Sequence, residues 1–200
     1  NSYPEHDKAV PTRYRLASAY YELGQLDPAA TNFQPLAYLD GFEFRAESGL
    51  RLAQCQLAGE EFQTAAETLE MVLTLEKDYL IQPVTFLLAE SWFRAGEFAK
   101  AIPRYAEVQE VEEYSKDCFY GMTWSAFRLK KYADAVSYSD QFVARFSGDD
   151  LVPEMQFLAG EAYLESGDPT RALQAYTQAT SGPFADAALR GAGFSAAQLE

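Results

Sequence analysis

Residues 88–105 read LAESWFRAGEFAKAIPRY, and this stretch contains the pattern that decides the fold. Ala89 and Trp92 lie at helical spacing, Gly96 follows at a turn, and Ala101 and Tyr105 lie four residues apart in the next segment. The same order of residue types occurs five times, with the central alanine at steps of 36, 36, 34 and 37 residues: Ala29, Ala65, Ala101, Ala135 and Ala172. Self-similarity at this period indicates a helical solenoid.

The five copies agree to different degrees. The first contains Ala17, Tyr20, Gly24, Leu26, Ala29 and Phe33, and the fifth contains Gly160, Tyr163, Gly167, Ala172 and Tyr176. The second and fourth are looser, because Glu60 and Lys130 replace glycine at the turn. Five concurring copies make the pattern specific, although no single copy would do so.

This pattern resembles the tetratricopeptide repeat family from residue 14 to about residue 180, with a partial sixth copy from Pro183. Periods of 36 and 37 residues are similar to those of its bacterial envelope branch, which includes YbgF- and BamD-like proteins. The stretch 146–150, followed by LAGEAY at 158–163, most resembles that branch. The resemblance implies a binding scaffold without catalytic activity.

The predicted fold class is therefore all-α: a right-handed superhelical solenoid of antiparallel helix pairs, with about five and a half repeats. We expect a single domain over 1–200 that is a fragment of a longer protein. Its predicted repeats are approximately 10–43, 44–80, 81–114, 115–150, 151–182 and a partial copy over 183–200.

The repeat has a physical rationale. The recurrent alanine lets two helices approach closely, and Gly24, Gly96 and Gly167 stand where a helix ends in a left-handed residue. The pairs Asp27-Pro28 and Asp168-Pro169 predict an N-cap followed by proline in the first turn of a helix.

Four prolines test this assignment. Pro35 and Pro103 fall inside predicted second helices, where an interior proline costs about 3 kcal/mol, so we expect kinks or shortened helices there. Pro83 and Pro153 are expected to open first helices.

Composition excludes several classes of function. The net charge of −14 argues against nucleic-acid binding, which needs a basic surface. No apolar run approaches the roughly 18 residues of a membrane span, so we expect a soluble protein without membrane insertion, either cytoplasmic or bacterial periplasmic. Cys55 and Cys118 lie two repeats apart and are expected to be buried free thiols.

Catalytic and metal sites lack the residues they need. His6 is the single histidine and precedes the first repeat, so neither a catalytic triad nor a zinc site can be assembled. We predict no enzyme activity, no cofactor and no metal. The acidic cluster at Glu107, Glu110, Glu112 and Glu113 has two interpretations: a site for a cation or a basic peptide, or a solvated helix end.

First helices of such a stack line its concave surface, which we predict to be a groove for a partner. The candidate residues are Tyr14, Tyr21, Leu57, Phe86, Glu90, Phe93, Arg94, Tyr120, Trp124, Phe127, Arg128, Phe157 and Glu161. They form two aromatic rows, one through Phe86, Tyr120 and Phe157 and the other through Tyr21, Phe93 and Phe127. The Lys and Asn of the family's carboxylate clamp are not matched, since Tyr14, Ser18, Leu50 and Gln54 stand at the corresponding places.

The sequence thus predicts an interaction scaffold that holds a peptide or protein segment between aromatic rings, oriented by Arg94 and Arg128. A competing interpretation places these rings in the core. The alternative function is a structural spacer, or self-association through an exposed terminal repeat bearing Leu189, Phe194 and Leu199.

Overall fold

The structure is a computed structural model that describes the backbone of residues 4–75 and 78–200 and the side chains of residues 9–75 and 78–200. Within these ranges it contains eleven α-helices and no strand. The predicted all-α fold is confirmed.

Helices alternate between the two roles that the repeat predicts. The first helices are α1 (Pro4–Glu22), α3 (Arg45–Ala58), α5 (Asp78–Arg94), α7 (Glu112–Arg128), α9 (Val152–Glu165) and α11 (Ala185–Ala197). The second helices are α2 (Leu26–Ala37), α4 (Phe62–Leu73), α6 (Phe98–Val108), α8 (Tyr132–Arg145) and α10 (Pro169–Gln178).

The chain divides into two compact units after Gly96. In the first unit each helix from α1 to α5 packs on the next, and α1 also contacts α3. In the second unit the helices from α6 to α11 do the same, and α7 contacts α9 as α9 contacts α11. Within each unit, helices that follow one another in the sequence pack together, as the predicted solenoid requires.

The five recurrent alanines are all buried, at most 1% exposed. This is expected of small residues that let two helices approach closely. The residue four positions later is also buried in every copy: Phe33, Leu69, Tyr105, Ser139 and Tyr176. In the fourth copy Phe142 supplies the fully buried ring.

The turns after α1, α3, α5, α7 and α9 each contain one residue in the left-handed region. The prediction for the three glycines is confirmed. Gly24, Gly96 and Gly167 have φ of 71°, 78° and 81°. Glu60 and Lys130 adopt the same conformation, with φ of 60° and 58°. For residues with a Cβ this conformation costs about 1–2 kcal/mol, so the repeat geometry overrides local preference at these two turns.

One of the two predicted N-caps is confirmed and the other is wrong. Asp168 caps α10, and its Oδ1 accepts a hydrogen bond from the backbone N–H of Arg171 at 2.9 Å. Asp27 instead lies inside the first turn of α2, whose N-cap is Gln25. The reason is that the cap is the residue directly after the left-handed one, and only the fifth copy has aspartate there.

Two of the four prolines were predicted to open helices. Pro153 lies in the first turn of α9, as expected. Pro83 does not open α5 but lies inside Asp78–Arg94, so the proline forfeits one hydrogen bond near the helix start. Pro35 and Pro103 lie inside α2 and α6, as expected; these helices have 12 and 11 residues, against 12 in α4, 14 in α8 and 10 in α10.

Tyrosine rings of second helices pack directly on glycines of first helices in the second unit. A Cβ on Gly121 would lie 2.5 Å from the Tyr105 ring, and a Cβ on Gly160 or Gly191 would lie 2.6 Å from the Tyr176 ring. Real Cβ contacts are longer, so these three positions require glycine for steric reasons.

Candidate binding face

Six predicted site residues lie together in the second unit. Tyr120, Trp124, Phe127 and Arg128 belong to α7, and Phe157 and Glu161 belong to α9, the next first helix. We call this surface the α7–α9 face. Its four rings and Glu161 are half-buried, and Arg128 is exposed. The rings are therefore neither free on the surface nor enclosed in the core.

A carboxylate fixes two of these rings. The Tyr120 hydroxyl and the Trp124 Nε1–H both donate to Glu154 Oε1, each at 3.0 Å. Our sequence reasoning missed Glu154. Its spacing of three residues before Phe157 and seven before Glu161 places it on the same side of α9, a signal that could have found it.

A second missed residue covers the face from the side. The Phe184 ring stacks on Phe157 with a centroid distance of 4.9 Å and an interplanar angle of 11°, and its centroid lies 6.4 Å from that of Trp124. Phe184 is the N-cap of α11 and follows Gly182, which has φ of 78°. It escaped prediction because it comes from a connection between repeats and not from a first helix.

Phe127 and Arg128 flank Trp124. The Phe127 and Trp124 rings meet edge to face at 6.4 Å, and Phe127 also packs against the buried alanines Ala126, Ala135 and Ala162. The Arg128 guanidinium lies 5.9 Å from the Trp124 ring centroid. It forms no ion pair within the part of the chain that the structure describes, so it is a candidate partner for an anionic group.

The other carboxylate of the face is tied to the core. Glu161 Oε1 accepts a hydrogen bond from the Tyr176 hydroxyl at 2.6 Å. Burial, and then this hydrogen bond, raise the pKa of Tyr176 well above its usual range. Glu161 is thereby held in place by a buried residue of α10.

In the first unit, Tyr14 and Tyr21 of α1 both meet the buried Phe33 edge to face, with centroid distances of 6.2 and 6.5 Å. Tyr14 stacks on Phe44 at 4.9 Å and 17°, so an interrepeat phenylalanine covers a first-helix ring here too. The Tyr21 hydroxyl donates to Gln54 Oε1 at 3.0 Å, and the Arg51 guanidinium lies 4.5 Å from the Tyr21 centroid. Burial raises the pKa of Tyr14 above its usual value.

The remaining predicted residues of the first unit are Leu57 on α3 and Phe86, Glu90, Phe93 and Arg94 on α5. All are half-buried except Arg94, which is exposed. Arg94 Nε lies 3.7 Å from Glu90 Oε2, and its guanidinium is 5.9 Å from the Phe62 centroid. Unlike Arg128, Arg94 therefore has an anionic partner within its own unit.

The acidic cluster behaves as a helix end. Its members are Glu107, Glu110, Glu112 and Glu113. Glu107 pairs with Arg104 at 3.0 Å, and Arg145 donates to both oxygens of Glu110 at 3.1 and 3.0 Å. These hydrogen bonds lower the pKa of Glu110 below its usual value. Two of the four carboxylates are thus engaged by arginines of the same unit, which favours the helix-end interpretation.

Among the described side chains, no three His, Cys, Asp or Glu lie where they could hold a metal ion. Cys55 and Cys118 are buried and form no disulfide, as predicted, and burial raises the pKa of the Cys55 thiol. The side chain of His6 lies outside the described residues. None of the described helices is long and apolar enough to cross a membrane.

Paired helices, glycine turns and faces lined by aromatic rings define a helical repeat protein. Two sequence models of the tetratricopeptide repeat match the chain, one over residues 120–188 and the other over residues 12–37 and 47–78. Together they match more than half of it. The chain belongs to the tetratricopeptide repeat family, as the resemblance predicted.

Solved structures share the fold. The structure of YrrB, described as a TPR protein with an unusual peptide-binding site, matches with a TM-score of 0.75 and 15% identity over 93% of each chain. The MamA protein matches with a TM-score of 0.71 and 16% identity, over 86% of this chain and 90% of that one. A search of curated proteins finds no match.

Proposed function

We propose that this protein is a non-catalytic interaction scaffold that binds a peptide or protein segment on the faces of its first helices, with the α7–α9 face as the principal site. The observation that carries this proposal is the fixed arrangement of half-buried rings around Glu154. Aromatic side chains offer a large contact area, and rings that are already immobile lose little entropy on binding.

The geometry supports preorganisation of this face. The polar hydrogens of Tyr120 and Trp124 point to one carboxylate oxygen, and Phe184 stacks on Phe157 at the other side of the face. The ring planes are therefore set before any ligand arrives. A ligand then contacts ring faces and edges, which suits apolar and aromatic side chains.

Arg128 indicates a second feature of the ligand, a negatively charged group. Because it is exposed and has no ion pair among the described residues, its guanidinium is available for a carboxylate beside the rings. Arg94 is less suited to this role, since Glu90 already neutralises it. We therefore propose that the ligand has an apolar or aromatic residue next to an acidic side chain or a C-terminal carboxylate.

The comparison with YrrB supports a peptide as the kind of ligand, without bearing on its side chains. That protein has the same fold and is described as having a peptide-binding site. The acidic chain as a whole would repel an acidic segment at long range, so Arg128 is expected to act at contact distance and binding is expected to be moderate.

Selection from a random peptide library on the immobilised protein tests the proposal, followed by calorimetry with the selected peptide. Arg128→Glu is expected to weaken binding at least about tenfold, which corresponds to about 1.4 kcal/mol. Lys131→Glu is the matched control, because it makes the same charge change at an exposed position of the next turn. It is expected to leave the affinity within about twofold.

A second pair of variants examines the rings. Phe157→Ala is expected to weaken binding at least about tenfold, whereas Tyr163→Ala removes a half-buried ring from another side of the same helix and is expected to have little effect. If both face variants bind the selected peptide as the wild type does, or if selection yields no peptide, the α7–α9 face is not the binding site.

A further inference from the structure

Helices α8 and α10 both pack on α9, and a groove runs between them. One part of the groove, of about 320 Å³, is lined by Asp140 of α8, by Ala159 of α9 and by Gln174 of α10, among others. A second part, of about 460 Å³, continues towards the start of α8. Because Tyr163 and Arg171 line both parts, they form one surface, which we call the α8–α10 groove.

The groove contains a carboxylate without a partner. Asp140 forms no ion pair and no side-chain hydrogen bond with the residues that the structure describes. Partial burial raises the pKa of its carboxyl above the usual value. Arg171, which also lines the groove, is already paired with Asp168 at 2.5 Å. The charge left for a ligand is therefore negative.

This charge is particular to one repeat of the second unit. Asp140 stands five residues after the recurrent alanine of its copy, whereas Ala106 and Thr177 stand at that place in α6 and α10. Neither of these two side chains is ionisable. The carboxylate is thus a feature of the α8–α10 groove and not of the repeat.

Side-chain amides line the groove beside small residues. Gln156 Nε2 donates to Gln178 Oε1 at 3.0 Å, and Gln174 lies one turn before Gln178. Amides have both donors and acceptors, which suit the unpaired backbone of an extended segment. Ala159 and Ala175 are small, so a backbone can approach closely. A helix would satisfy its own backbone and would need apolar walls instead.

The spacing along α8 determines the order of side chains in such a segment. Val136, Asp140 and Ala144 line the groove at successive turns, about 6 Å apart. Alternate residues of an extended chain face the same side and repeat about every 6.6 Å. Three alternate side chains of the segment can therefore face these three residues in turn.

We infer that the α8–α10 groove binds an extended segment of a partner protein, with lysine or arginine facing Asp140 and a small apolar residue two positions to either side. The groove shares no lining residue with the α7–α9 face, so this site does not depend on the proposed function. The net charge of −14 attracts a basic segment. The same charge makes a second copy of this chain a poorer occupant.

The probe is the pentapeptide Val-Thr-Lys-Thr-Val, acetylated and amidated at its ends. Its side chains have the same order in both directions, so its orientation need not be known. Titrated into the isotope-labelled full chain, it is expected to shift the amide signals of Asp140, Gln174 and the other lining residues. The same peptide with norleucine in place of lysine has no charge, and it is expected to bind at least about threefold more weakly.

A charge variant tests whether Asp140 causes this preference. Asp140→Asn is expected to bind both peptides equally, because the preference for lysine depends on the carboxylate. Asp134→Asn is the matched control, because it removes the same charge from an exposed position of α8 that does not line the groove. It is expected to retain the preference.

A steric variant tests the groove itself. Ala144 is exposed at the groove, so Ala144→Phe fills it without disturbing the core, and is expected to weaken binding of the lysine peptide at least about tenfold. Ser137→Phe is the matched control, because it adds the same ring at an exposed position of α8 outside the lining. Both variants are expected to melt near the wild-type temperature.

Four results would overturn the inference: no shifts at millimolar peptide, shifts centred on the α7–α9 face, equal binding of the two peptides by the wild type, or a lysine preference that persists in Asp140→Asn. Sedimentation that shows wild-type dimers and Asp140→Asn monomers would also overturn it, since a second copy would then be the occupant. Arg128→Glu should leave the affinity for the probe within about twofold, so failure here is distinguishable from failure of the proposed function.

Discussion

Gly121→Ala is the substitution whose effect the structure defines most directly. The new methyl group would lie 2.5 Å from two carbons of the Tyr105 ring and 2.7 Å from its hydroxyl oxygen. Tyr105 is fully buried, so its ring has no free space into which to move. The methyl group can be accommodated only if α6 and α7 separate by several tenths of an ångström or more.

Two effects of opposite sign determine how much Gly121→Ala changes the free energy of unfolding. Overpacking a buried contact typically costs about 1–3 kcal/mol, whereas alanine is better than glycine inside a helix by about 1 kcal/mol. Contacts this short with an immobile ring place the first term at its upper end. We therefore expect a net loss of about 1–2 kcal/mol in the free energy of unfolding, and a melting temperature lower by about 2–8 °C.

Tryptophan fluorescence can follow this unit by itself. The chain has two tryptophans, Trp92 in the first unit and Trp124 in the second, so a Trp92→Phe background leaves Trp124 as the reporter. Gly193→Ala is the matched control, because it makes the same substitution in α11 where a Cβ meets nothing. It is expected to stabilise the protein by up to about 1 kcal/mol.

The packing argument predicts that Gly121→Ala lowers the free energy of unfolding and that Gly193→Ala raises it. If Gly121→Ala stabilises the second unit as much as Gly193→Ala does, the Tyr105 ring does not lie against α7 and the packing argument is wrong. Adding Tyr105→Leu to Gly121→Ala is expected to recover part of the loss, because the smaller side chain makes room for the methyl group.

Three further predictions concern turns, caps and thiols. Lys130→Gly is expected to raise the free energy of unfolding by about 0.5–1 kcal/mol, because relief of the left-handed strain exceeds the added entropy of the unfolded chain; a lower urea midpoint than that of Lys130→Ala would contradict this. The backbone N–H of Arg171 is the main cause that lowers the pKa of Asp168 below its usual value, so its stabilisation is complete above the unfolded pKa and is lost as pH falls through the folded pKa. Asp168→Asn keeps the acceptor and should therefore flatten the acid limb of melting temperature against pH below about pH 4; an unchanged limb would show that Asp168 does not contribute to it. Cys55 and Cys118 are expected to react with a disulfide reagent only after unfolding, because both are buried; rapid reaction of either thiol with the native protein would refute this.

Most of the fold could be predicted from the sequence because its determinants are local. The spacing of Gly96, Ala101 and Tyr105 is enough to indicate one helix pair. Its five repetitions establish which residues correspond between the pairs. Errors arose where the exact starting residue of a helix mattered. Asp27 has a residue type that favours an N-cap, but the cap of α2 is the residue after the left-handed Gly24. Pro83 has a residue type that favours a helix start, but it lies inside α5.

The candidate face could be predicted only in part. Helical spacing placed Tyr120, Trp124 and Phe157 on first helices, where the structure has them. Periodicity could not show that Glu154 binds two of these side chains at once, or that Phe184 stacks on the third. Such contacts depend on distances between repeats, and the sequence pattern carries no information on them.

The sequence by itself determined the class of this protein: its family, the order of its helix pairs, the buried alanines and the left-handed turns. Each of these follows from steric limits within about 40 neighbouring residues. Tertiary structure alone decided that Glu154 accepts hydrogen bonds from both Tyr120 and Trp124, and that Phe184 stacks on Phe157. These contacts join residues of different helices, so they depend on how the helices pack and not on the spacing of residues along one helix.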